Sequence, residues 1–251
     1  ELGYIVCGND NIGHGRSINN GKPMYLGPIK SWDKIVADFD KLRQIMTEEY
    51  QLPYYFLGFS LGSFLVRTYL IDYQFKPEKV ILAGTSYVNP LLLRIIMKIV
   101  LGEAKKYGED VNTPLISKLS LEAYNKKIKD PTSECDWLCK SKNGLNDYLE
   151  DKLCYRKISC ELFYDLLYGI KYTCENKNIE KMRKDLPLLL ISGMEDPVGD
   201  NSKGVLKLAK IYKKKQFTRV DIKLHEGMRH DIFHEDDYEK VLDDIRDFIR
   251  K

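Results

Sequence analysis

Apolar residues recur along this chain in two rhythms. Short strand-like runs at residues 4–7, 52–57, 80–83, 188–192 and 220–224 each end in a polar or glycine-bearing loop. Between them lie stretches with helical spacing. Ile35, Phe39, Leu42 and Met46 mark one face of a helix expected to begin after Ser31 as its cap, and Phe64, Leu65, Thr68 and Ile71 mark a second. Two more helices are expected at 202–212 and 236–250. Strands alternating with helices predict a parallel sheet in an α/β fold. From 86 to about 186 the alternation stops, and helical segments are expected near 90–106, 120–129 and 160–170, rich in Leu, Ile, Tyr and Phe. The organisation expected is a core over 1–85, a helical cap or lid over 86–186, and a returning core over 187–251. Leu91, Leu92, Ile95, Ile96, Ile99 and Val100 surround their helix instead of lining one stripe, which suits core packing or an acyl-chain wall.

The first strand-to-helix junction carries Gly58-Phe59-Ser60-Leu61-Gly62. A serine with glycine two positions away on each side, at such a junction, is the pattern of a nucleophile elbow. Side chains at positions 58 and 62 are expected to collide as the chain reverses, which is the case for glycine there. The helix start beside Ser60 favours an anion forming next to it.

An ordinary serine is a poor nucleophile, so the pattern requires a base and a carboxylate. The chain has four histidines. His14 reads as a turn residue. His230, in the loop after the last strand run, is the candidate base, with His225 and His234 as alternatives. The acid is sought between serine and histidine, in the loop Gly193-Met194-Glu195-Asp196-Pro197. Asp196 is favoured because Pro197 holds it extended. Glu195 reads as a solvated charge, and Asp200 as another or as an acid at the next helix N-terminus. The Leu61 N–H is the candidate oxyanion donor.

Asp10-x-x-Gly13-His14-Gly15-x-Ser17, the elbow over 58–63, Ser192-Gly193-x-x-Asp196-Pro197-Val198-Gly199 and Gly227-x-x-His230-Asp231 together resemble the α/β-hydrolases of the monoacylglycerol lipase and lysophospholipase group, also filed with serine aminopeptidases. Asp136-Trp137-Leu138 is similar to bacterial members. Phe59 stands where many members have histidine, and Leu61 where many have methionine. The resemblance implies hydrolysis of carboxylic esters bearing one acyl chain, with no metal or organic cofactor. It also implies an upstream His-Gly loop completing the oxyanion hole. The strand at 4–7 would be the fourth of the fold, so about fifty residues, three strands and a helix, are expected to be missing before Glu1. An aminopeptidase or small-ester carboxylesterase on the same residues, and a non-catalytic relict acting as a binding protein, are the alternatives.

Charge and composition narrow the field. A net charge of +3 from 40 basic and 37 acidic residues does not suggest a nucleic-acid partner. The expected partner is a small acyl ester or lipid, with at most transient contact with a membrane surface. No apolar stretch is long enough to span a bilayer, and residues from Glu1 onward show no signal-peptide pattern, so a cytoplasmic location is expected. Cys7, Cys135, Cys139, Cys154, Cys160 and Cys174 lack metal spacing and are expected to be free thiols, a disulfide among the last five being the alternative. His230-x-x-x-His234-Glu235 is not a zinc motif.

Overall fold

The computed structural model describes residues 3–18 and 21–251, so Glu1 and the expectation attached to it lie outside the described residues. Four strands, β1 (Tyr55–Phe59), β2 (Lys79–Ala83), β3 (Leu188–Gly193) and β4 (Val220–His225), form one parallel sheet in the order β1-β2-β3-β4. The central strands β2 and β3 read as unbroken apolar runs because both of their faces are covered. Val80, Leu82, Leu188 and Leu190 point into the main core, while Ile81, Ala83, Leu189 and Ile191 pack on the other face.

Helices supply the two covers. On the main face lie α1 (Trp32–Tyr50), α2 (Leu61–Asp72), α3 (Pro90–Tyr107), α7 (Cys160–Cys174) and α9 (Lys203–Lys214). On the opposite face lies α10 (Tyr238–Arg250), through Val241, Ile245 and Phe248. The result is an α/β fold, a parallel sheet covered by helices on both faces.

The expected strand at 4–7 is not formed. Tyr4, Ile5 and Val6 are 45%, 51% and 91% exposed, and among the described residues no backbone ladder joins them to β1. A strand exists through its ladder, and four apolar residues in a row carry no information about whether one is made. Cys7 Sγ reaches the Tyr54 hydroxyl at 3.5 Å, so the segment lies near β1 through a side chain alone. Ser31 does precede α1, but its hydroxyl donates to the Pro28 carbonyl and caps nothing. The N–H of Lys30, next to that helix start, instead donates to the Asp165 carboxylate of α7 at 2.9 Å.

The segment between β2 and β3 is helical: the short α4 (Pro114–Leu119), α5 (Leu121–Asn125) and α6 (Lys142–Glu150) lie between α3 and α7, and α8 (Asn176–Ile179) follows α7. The helix expected over 120–129 stops at Asn125. The stretches at α4, α6 and α8 carried no sequence expectation of their own. Leu162, Phe163, Leu167 and Ile170 of α7 are buried in the main core, so this part of the insertion packs as one body with the sheet. Residues 121–149 form a satellite core around Cys135, Trp137, Leu138, Cys139 and Leu145. On α3, Leu93, Met97 and Val100 are buried, whereas Leu91, Leu92, Ile95 and Ile99 face solvent. Among the described residues, no helix is long and apolar enough to cross a membrane.

Candidate active site

At the end of β1 the chain reverses into α2 over a single residue. Ser60 has φ 50° and ψ −118°, a backbone state costing a non-glycine residue about 1–3 kcal/mol. The turn is held by the Ser60 N–H donating to the Ala83 carbonyl at 3.0 Å and by the Ser63 hydroxyl donating to the Ser60 carbonyl at 2.6 Å. A Cβ on Gly58 would meet the Gly62 carbonyl oxygen at 2.5 Å, so glycine is required there. The expectation for Gly62 is corrected: a Cβ there meets nothing within 4 Å, because its hydrogen points outward from the turn.

Three chain-distant residues converge at this turn. His230 Nε2 lies 2.8 Å from Ser60 Oγ, and His230 Nδ1 lies 3.0 Å from each carboxylate oxygen of Asp196. Asp196 and His230 are 0% and 1% exposed, while Ser60 is partly open. Burial alone would push the Asp196 carboxyl upward. Its neighbour His230, together with N–H donors from Val198 and Gly199, outweighs that and holds it below the usual aspartate value. An ionised carboxylate only accepts, so Nδ1 carries the imidazole proton and Nε2 is left to accept from the serine hydroxyl. Ser192 Oγ, 3.3 Å from Asp196 Oδ2, adds a further donor.

The other candidates are placed elsewhere. His225 ends β4 beside Asp244, with burial lowering its pKa. His234 is largely exposed and lies 2.9 Å from Asp231. His14 Nδ1 lies near the Ile12 carbonyl, at 3.1 Å, in a turn. Glu195 pairs with Lys140 at the surface, and Asp200 precedes α9 without entering its first turn. The Leu61 N–H belongs to the first turn of α2, where N–H groups have no intrahelical acceptor and the helix dipole is positive. The Glu235 carboxylate accepts from the N–H groups of Arg229 and Lys140. Among the described residues no group of three or more His, Cys, Asp and Glu is arranged to hold a metal, and all six cysteines are free thiols.

Several contributors were not foreseen from sequence. Gly84 follows β2 with φ +58°, and a Cβ there would come within 2.9 Å of His230 Cε1, so its absence makes room for the ring. Phe59 and Trp137 both pack against the imidazole, with centroids 5.1 and 5.2 Å away. Trp137 also lines a cavity of about 570 Å³ within the insertion, together with Leu121, Tyr148, Leu149 and Tyr155, whereas none of Ser60, Asp196 and His230 does.

Comparison with known proteins agrees with this architecture. A sequence model of the family described as serine aminopeptidase, S33, matches residues 1–237. A search of curated proteins finds no match to the chain. Among solved structures, a thermostable carboxyl esterase from Bacillus coagulans is similar with a TM-score of 0.85 and 24% identity, over 96% of this chain and 78% of that one. A soluble variant of monoglyceride lipase from Saccharomyces cerevisiae gives a TM-score of 0.68 at 18% identity, over 95% and 74%. A monoacylglycerol lipase from Paleococcus ferrophilus gives 0.58 at 18%, over 92% and 76%.

Proposed function

Because this chain belongs to the serine aminopeptidase S33 family, within the α/β-hydrolases of the monoacylglycerol lipase-like group, we propose that it hydrolyses carboxylic esters through an acyl-enzyme on Ser60, and that its substrates are single-acyl-chain lipids such as monoacylglycerols or lysophospholipids. The observation carrying this reading is the unbroken hydrogen-bond path from Ser60 Oγ through His230 to Asp196.

In the proposed reaction His230 Nε2 takes the Ser60 proton as Oγ attacks the ester carbonyl. Asp196 keeps the imidazole in the required tautomer and balances the imidazolium. The Leu61 N–H donates to the oxyanion, assisted by the start of α2. The imidazolium then protonates the departing alcohol, and water, deprotonated by His230, releases the acid. The lipid preference is supported by the named activities of the structural relatives and by the apolar insertion above the elbow. A small-ester or aminopeptidase preference on the same residues predicts a different substrate profile.

The test is intact mass after incubation with a fluorophosphonate, comparing the chain with Ser60→Ala, followed by a panel of a monoacylglycerol, a lysophosphatidylcholine, a short p-nitrophenyl ester and an aminoacyl naphthylamide. One adduct that disappears in Ser60→Ala is expected, with the lipid esters turned over fastest. A folded wild-type chain that takes up no adduct overturns the reading, and a preference for the naphthylamide overturns the choice of substrate.

A further inference from the structure

The imidazole of His230 is packed against two aromatic rings. Phe59, which precedes the elbow serine, has its ring centroid 5.1 Å from that of His230 with the ring planes at 36°, and Trp137, from the insertion, stands at 5.2 Å and 33°. The second contact is held in register by the backbone around it. Arg229 Nη1 donates to the Asp136 carbonyl at 2.5 Å, and the Asp231 N–H donates to the Leu138 carbonyl at 2.6 Å. The two neighbours of His230 are thus bonded to the two neighbours of Trp137. Glu235 adds a bridge by accepting from the N–H groups of both Arg229 and Lys140.

The indole itself is immobilised. Trp137 is 6% exposed, its N–H backbone group donates to Asn125 Oδ1 at 3.0 Å, and its ring is backed by Tyr124 at 5.3 Å. Lys127 Nζ donates to the Pro197 carbonyl, tying the same segment to the loop that holds Asp196. A tryptophan in a small apolar cluster needs no special role. One whose flanking carbonyls grip the residues beside a buried histidine is placed to govern that histidine.

We propose that Trp137 is a positioning residue for the reaction proposed above, on which this inference rests: it holds the His230 ring in the plane that aims Nε2 at Ser60, and it favours the imidazolium formed when the ring takes the proton. Rotation of the ring would break its bonds to both Ser60 and Asp196, and would also disrupt its packing against Trp137. An aromatic face is electron-rich, so its attraction for the ring increases when the ring becomes cationic. The contact therefore strengthens toward the transition state, the condition for a gain in kcat and not only in binding.

The experiment compares wild type, Trp137→Leu and Trp137→Phe in the full chain, with a short p-nitrophenyl ester that makes little use of the insertion. Three quantities are read: kcat and KM, the rate of fluorophosphonate labelling at Ser60, and the proton resonance of the His230 Nδ1–H bonded to Asp196. Trp137→Leu is expected to lower kcat and the labelling rate roughly ten- to a hundredfold with KM within about twofold, and to broaden the resonance. Trp137→Phe, which keeps an aromatic face, should retain most of the rate and a sharp resonance. If Trp137→Leu does not fold, Trp137→Met, which fills similar space without a ring, carries the same expectations. A variant with wild-type kcat, a rise in KM alone, or a lost rate with an unchanged resonance each overturns the positioning role. A wild-type chain that is not labelled at Ser60 instead overturns the hydrolase reading beneath it.

Discussion

Arg67 Nη2 donates to the carbonyl oxygen of Thr173 at 2.8 Å, joining the helix that starts at the elbow to the C-terminal end of α7 in the insertion. Arg67 is 0% exposed and forms no ion pair with a carboxylate among the described residues. Its charge is met by the Ser86 carbonyl at 2.9 Å, the Thr85 hydroxyl and the negative end of α7. Removing it leaves buried acceptors without donors, each costing about 1–3 kcal/mol. Arg67→Met is accordingly expected to lose about 2–5 kcal/mol of stability in urea unfolding. Arg67→Lys should recover little, since a single ammonium cannot span the acceptors that the guanidinium fork reaches. A wild-type midpoint for Arg67→Met would show that the carbonyls are met by other donors.

The two elbow glycines should respond differently to an added methyl group. Gly58→Ala drives Cβ into the Gly62 carbonyl at 2.5 Å, a backbone contact that cannot move aside without opening the turn. A loss of about 3 kcal/mol or more is expected. Gly62→Ala enters open space in the first turn of α2, and its urea midpoint should stay within about 1 kcal/mol of wild type. Equal losses at the two sites would contradict the one-sided crowding.

How much of this was legible beforehand depended on how local each feature is. β2 and β3 were readable because strands buried on both faces need continuous apolar runs, and β4 because Val220-Asp221-Ile222-Lys223-Leu224 alternates. Residues 4–7 have the same local pattern as a strand and differ only in lacking a ladder, which no local pattern encodes. Ser60, Asp196 and His230 could be picked out because each follows a strand-like run in a loop. The packing around His230 could not, since Trp137 and His230 meet through contacts such as Asp231 to Leu138 that span more than ninety residues. The available signal was the isolated Trp137 within Asp136-Trp137-Leu138, in a segment whose helices are too short to be periodic. Gly62 was overread, because a pattern of paired glycines does not reveal which of the two is crowded.

A buried acid pair makes the chain's stability fall as pH rises from mildly acidic values toward about 9. Glu161 and Asp165 lie one turn apart on α7, both 0% exposed, and accept from the N–H groups of Leu26 and Lys30. Burial, reinforced by the charges of Asp165 and Glu109, pushes Glu161 up to about 9 against the bond from Leu26; burial raises Asp165 as well. The folded chain thus keeps a proton that the unfolded chain releases above about 4.5. Stability from this site is complete below that value and falls as pH rises toward about 9. Glu161→Gln puts an amide where the protonated acid stood and should remove Glu161's share of the fall, leaving that of Asp165. Its melting temperature should match wild type near pH 5 and exceed it near pH 9, and parallel curves would rule out Glu161 as the source.

Asp196 has the opposite sign. Despite burial, its carboxyl is held below the ordinary aspartate value by His230 and the surrounding N–H donors, so its contribution is present above about 3.8 and is lost as pH falls through the lower folded value. Asp196→Asn removes that contribution at every pH. The stability gap between wild type and variant, read from urea midpoints, should be widest near neutrality and close as acid protonates the wild-type carboxylate. The same substitution offers the imidazole an amide that can also donate, which no longer selects the tautomer with Nε2 free. Ester turnover at pH 7 should fall by about three to four orders of magnitude, while Ser60 remains the one site of slow fluorophosphonate labelling. A variant that keeps both its rate and its midpoint would show that Asp196 neither orients the imidazole nor stabilises the fold.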